Sequence, residues 1–64
     1  MPFIEVKLLK RWPEETLEKL AAEYTRKTQE ILDLPADKIT VVISEVAPSH
    51  WVKGGVTLEK LAPS

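Results

Sequence analysis

Pro2 stands directly behind Met1 and opens at once into an apolar run, Phe3-Ile4-Glu5-Val6-Lys7-Leu8-Leu9. An initiator methionine is removed when the next side chain is small, and proline qualifies. Removal leaves a secondary amine as the first group of the chain. An amine held at the head of a strand acts as a general base once enough of it is unprotonated; burial or a neighbouring cation favours that neutral form. The dipeptide alone is a weak signal, so the rest of the chain has to carry the argument. Other constellations are missing. The single histidine, His50, belongs to no readable Ser/His/Asp arrangement, its neighbour Ser49 being read as part of a turn, and the only glycines, Gly54 and Gly55, do not make a phosphate-cradling loop. There is no cysteine and one histidine, which leaves no thiolate or histidine-based metal site within the chain. Neither a metal nor an organic cofactor is expected.

Four segments must position whatever chemistry there is. Along residues 3–9, Ile4, Val6 and Leu8 point one way, and Phe3, Glu5, Lys7 and Leu9 the other: a strand with one wholly apolar face. Residues 14–32 read as a helix. Pro13 suits its first turn, and Glu14 and Glu15 suit the positive end of its dipole. Leu17, Leu20, Ala21, Tyr24, Thr28, Ile31 and Leu32 form one stripe. The opposite side carries Glu15/Lys19, Glu23/Lys27 and Arg26/Glu30 at i,i+4 spacing. Pro35 ends the helix by restricting Leu34 to extended geometry. Residues 39–46 form a second strand, with Ile39, Val41 and Ile43 on one face and Thr40, Val42, Ser44 and Val46 on the other. Beyond a turn at Pro48-Ser49, the Gly54-Gly55 pair suits a short hairpin, because both residues tolerate positive φ. Leu58 and Leu61, in the tail running to Ser64, are candidates for packing on a neighbouring chain.

Strand, helix, strand is a βαβ unit, whose two strands run parallel. The 64 residues make one domain, 1–64, and 44% of them are hydrophobic. A lone domain of this size buries only about 60% of its unfolded surface and usually needs a staple. With no disulfide or metal available, oligomerisation is the remaining one. Two strands and one helix also leave sheet edges unpaired, so the sheet is expected to extend through another copy of the chain. Nine basic residues against ten acidic ones, a net charge of −1, argue against a nucleic-acid partner. The apolar runs are far too short to cross a bilayer, and no signal peptide is read. A soluble, cytoplasmic protein is expected.

Taken together, Pro2 at the mature N-terminus, the strand Val41-Val42-Ile43-Ser44-Glu45, and Trp51 just before Gly54-Gly55 resemble the 4-oxalocrotonate tautomerase family. The resemblance covers nearly all of residues 2–58. It implies an α/β fold: a β-α-β tautomerase unit with a C-terminal hairpin. Sheets join across subunits into a dimer, and three dimers form a homohexamer. It also implies an isomerase, an intramolecular oxidoreductase interconverting keto and enol groups on a small-molecule substrate. Carried over, Pro2 is the base and Trp51 is the aromatic residue lining an apolar pocket.

The arginines depart from the family pattern. The family typically has Gly-Arg-Ser or Gly-Arg-Thr after the first strand; ungapped, that arginine falls on Trp12, with Arg11 one place earlier. The second falls on Thr40. Arg26 lies on the polar helix face, which leaves Arg11 as the arginine candidate for the site. Lys38 and Lys53 are candidates for supplying positive charge, without the planar fork of a guanidinium. This bears on a dicarboxylate substrate and leaves the proline chemistry intact. Each residue also has a plainer reading: Trp51 as an interface aromatic, Trp12 as cover for the helix start, and Arg11, Lys38, Lys53 and His50 as solvated surface.

The expected activity is enol/keto proton transfer on a small 2-hydroxydienoate or 2-oxo acid, with Pro2 as general base after loss of Met1. Two other readings stand beside it. A protonated Pro2 could serve as an acid, as in related hydratases, dehalogenases and decarboxylases. Alternatively, the chain is a non-catalytic oligomer that kept the scaffold.

Overall fold

The computed structural model describes residues 1–61. Strand β1 spans Phe3–Leu9, helix α1 spans Glu14–Leu32, and strand β2 spans Thr40–Val46. A hairpin of β3 (Val52–Lys53) and β4 (Val56–Thr57) follows, then one helical turn, α2 (Leu58–Leu61). Two 3-10 turns, Ala36–Lys38 and Pro48–His50, lead into and out of β2. Residues 62–64, the last part of the tail expected to pack on a neighbour, lie outside the described residues.

β1 and β2 pair in parallel, as the βαβ order requires, in a register from Phe3↔Thr40 to Leu9↔Val46. Strand alternation and this register give the two-stranded sheet two faces. Ile4, Val6 and Leu8 share the first face with Val41, Ile43 and Glu45, and α1 lies across it. Phe3, Glu5, Lys7 and Leu9 share the second with Thr40, Val42, Ser44 and Val46. The second strand starts at Thr40 rather than at Ile39. Ile39 closes the preceding 3-10 turn, its N–H donating to the Ala36 carbonyl at 3.1 Å, so it is unavailable to the ladder.

The helix begins and ends through its backbone. Pro13 is the N-cap itself, at φ −69° and ψ 159°, and its carbonyl accepts from the N–H groups of Thr16 and Leu17. Glu14 and Glu15 lie in the first turn, where unpaired N–H groups favour negative charge. At the other end Asp33 takes a left-handed conformation, φ 56° and ψ 55°. The N–H groups of Asp33 and Leu34 both donate to the Gln29 carbonyl. The chain has therefore left the helix two residues before Pro35. A left-handed residue with a Cβ is strained relative to glycine. Asp33→Gly is accordingly expected to raise stability by about 0.5–1 kcal/mol, read as a higher thermal midpoint at fixed protein concentration. A lower midpoint would mean that the Asp33 side chain has a stabilising role of its own.

On the outer face of α1, the Arg26 guanidinium meets Glu23 at 2.9 Å and Glu30 at 3.5 Å, and Lys27 meets Glu30 at 3.0 Å. Of the pairs expected from i,i+4 spacing, Arg26/Glu30 forms. Glu23 pairs with Arg26 instead of Lys27, because the fork offers it two donors, Nε and Nη2. Glu15/Lys19 is not among the ion pairs of the described residues. The hydrogen bond to Arg26 holds the Glu23 carboxyl below the ordinary carboxylate range, and the same bond raises the Arg26 guanidinium.

The chain alone has almost no interior. Leu17, 6% exposed, is the one buried hydrophobic residue among those described. On the second sheet face Phe3 is 64% exposed and Val42 38%; at the end of the helix stripe Ile31 is 71% exposed. The radius of gyration is 15.0 Å, against about 11 Å for a compact domain of this length. The slab is only 14 Å through its shortest axis, one helix on one sheet. Gly54 (φ 59°) and Gly55 (φ 81°) turn the β3–β4 hairpin with two consecutive positive φ values, which suits a tight two-residue connection.

Candidate active site

Pro2 is built into the sheet although it precedes the first strand. Its carbonyl accepts the Thr40 N–H at 3.1 Å, the first rung of the β1–β2 ladder. The ring is half-buried, while Met1 projects away at 92% exposure. With Met1 attached, the Pro2 nitrogen is an amide and has no lone pair to offer. Loss of Met1 would convert it to an amine on a backbone that is already held.

Because β2 runs parallel to β1, the chain's candidate residues fall into two groups at opposite ends of the sheet. Thr40 is beside Pro2, and Lys38 precedes it by two residues in an exposed 3-10 turn. Arg11 and Trp12 follow β1 at the far end, where the Lys10 N–H donates to the Val46 carbonyl at 2.8 Å. Trp51 and Lys53 come after β2. A seven-residue strand is about 20 Å long, so one chain does not bring Arg11 or Trp51 to its own Pro2. Any site that unites them takes residues from more than one copy.

At the far end, Arg11 Cζ lies 5.4 Å from the centroid of the Trp12 ring, a cation–π stack that orients the guanidinium without neutralising it. Arg11 makes no ion pair among the described residues, in contrast to Arg26. Trp12 lines an apolar groove of about 400 Å³ with Leu8, Thr16, Leu17 and Leu20, at the start of α1.

Trp51 is half-buried and lines a second cavity of about 290 Å³ with Lys7, Val46, His50 and Val52. Its backbone carbonyl accepts from Leu58 N–H at 2.8 Å, which ties the position to the end of the hairpin. Sequence reasoning missed Lys7, Val46 and Val52 as neighbours of Trp51. Alternation alone places Lys7 and Val46 on particular strand faces; the pairing Leu9↔Val46, which makes those faces one, is what it lacks. Lys53, in β3 opposite Val56, is exposed and outside this lining. Among the described residues, no three or more of His, Cys, Asp or Glu cluster in a way that could hold a metal ion. No helix there is long and apolar enough to cross a membrane.

The family model described as "Tautomerase enzyme" matches residues 2–61. A Bacillus cereus protein named "Probable tautomerase" is 34% identical over 58 residues, covering 91% of this chain and 95% of that protein. Among solved structures, TomN, described as a 4-oxalocrotonate tautomerase homologue in the tomaymycin biosynthetic pathway, superposes with a TM-score of 0.85 at 28% identity, covering 98% of this chain and 100% of its own. A heterohexamer 4-oxalocrotonate tautomerase from Chloroflexus aurantiacus gives a TM-score of 0.84 at 26% identity, covering 95% and 98%.

Proposed function

The chain belongs to the tautomerase family, and on that premise we propose that it is an enol/keto isomerase whose base is the amine of Pro2 after removal of Met1. The nitrogen takes the proton from the hydroxyl of a 2-hydroxydienoate or related enol. The electron pair left on oxygen becomes the carbonyl, the double bonds shift along the chain, and the distal carbon takes the proton back from the prolinium. No oxidant, reductant or leaving group is involved.

The observation that carries this reading is the 3.1 Å bond from Thr40 N–H to the Pro2 carbonyl. It fixes the residue on the carbonyl side of the nitrogen and leaves the nitrogen side open toward an exposed Met1. Arg11 engages the carboxylate or the developing oxo group, and Trp51 keeps water from the amine. Lys38 and Lys53 add positive potential that favours the neutral amine. The unit of function is a homohexamer, a trimer of dimers, in the cytoplasm. Its support is the exposed apolar part of the second sheet face at Phe3 and Val42, the unpaired strand edges and the separation of Pro2 from Arg11 and Trp51. The Chloroflexus relative, itself described as a heterohexamer, points the same way.

The test compares two preparations whose masses have been verified, one with Met1 and one beginning at Pro2. Ketonisation of phenylenolpyruvate is expected from the second only. Equal rates from both would remove the proline nitrogen from the chemistry.

A further inference from the structure

We infer that the substrate of this site carries one carboxylate, next to the enol carbon, and that the rest of it is uncharged and apolar. The inference rests on the tautomerase reading above and adds the substrate class. It follows from a count that does not depend on how the copies pack. The chain has two arginines, Arg11 and Arg26. Arg26 is committed on the outer face of α1, with two donors on Glu23 and a third on Glu30. A symmetric assembly has one Pro2 and one Arg11 for every chain. Each site therefore receives one uncommitted guanidinium, whichever copy supplies it.

One guanidinium binds one carboxylate through a planar two-pronged contact. A second carboxylate would be left to ammonium groups, and Lys7, Lys38 and Lys53 are all exposed. Ammonium groups there add positive potential but offer no matching fork. Trp51 shares its cavity with Val46 and Val52 as well as Lys7 and His50. The apolar stretch of indole and two valines strips water from a charged group without replacing its hydrogen bonds. It suits an aryl or alkyl tail instead.

The experiment uses the assembled protein beginning at Pro2 and two dienols that differ only in the distal carboxylate, 2-hydroxypenta-2,4-dienoate and 2-hydroxymuconate. The expected result is a kcat/KM at least about tenfold higher for the monoacid, which is about 1.4 kcal/mol of transition-state discrimination. A ratio of one, or a preference for the diacid, overturns the inference and leaves the tautomerase reading in place. Turnover of neither dienol, nor of phenylenolpyruvate, overturns the tautomerase reading itself. A second measurement checks the source of the clamp. Arg11→Lys is expected to raise KM for the monoacid at least tenfold while the assembly mass is unchanged; Arg26→Gln is expected to leave KM where it was. An unchanged KM in Arg11→Lys overturns the assignment of the single clamp to Arg11.

Discussion

Pro2→Ala is expected to lower kcat for enol ketonisation by at least two orders of magnitude, the ordinary range for loss of a positioned acid–base group being about 10²–10⁴. The substitution is informative because alanine is also small, so Met1 is removed from both proteins and both begin with an amine. What changes is the class of amine and the rigidity of its attachment. Proline's ring ties the nitrogen to its own side chain, so the nitrogen cannot turn about its bond to Cα and its lone pair is confined to the two directions the ring allows. Alanine's amine turns freely about its single bond to Cα. The pH–rate profile of the unsubstituted protein supplies an independent check. A base must be unprotonated, so the rate should fall as pH drops below the proline pKa. If the prolinium were the working species, as in a hydratase, the rate would fall above it instead. A falling limb on the alkaline side alone would sink the base assignment.

Val42→Asp is the second large effect. In the isolated chain Val42 is 38% exposed at the middle of the second sheet face. Were the chain functional alone, an aspartate there would cost about 1 kcal/mol, the span of strand propensities. In an assembly that covers this face, the same change buries a carboxylate with no partner, at a cost of several kcal/mol in every copy. The expected outcome is loss of the oligomer in sedimentation and loss of activity with it. A fall in the thermal midpoint of the unsubstituted protein on dilution is the companion observation, because a chain whose described residues include Leu17 as the one buried hydrophobic would draw its stability from association. An unaltered mass for Val42→Asp would falsify the covered-face argument.

The elements that depend on periodicity were legible in the residues. β1 at Phe3–Leu9 and α1 at Glu14–Leu32 have the expected bounds, and the hairpin forms around Gly54-Gly55. Features set by local backbone hydrogen bonds were less so. The turn that captures Ile39 and the left-handed Asp33 arise from i→i+3 and i→i+5 type closures, and apolar spacing carries no trace of them. The four-residue α2 is too short to show a period. The proposed site can be read from the sequence as a set of candidates, Pro2, Arg11 and Trp51, and not as a geometry. Its members stand at two ends of one sheet, and the distance between them in an assembly is a property of the packing of copies, which no single chain's pattern encodes.

The rung between Thr40 and Pro2 also governs how this protein can be handled. Any purification tag or reporter fused ahead of residue 2 would cap the nitrogen as an amide while leaving the rung intact. Such material would fold and assemble, yet show no turnover. Fusions belong at the carboxyl end, and a silent preparation calls first for sequencing of its leading residue.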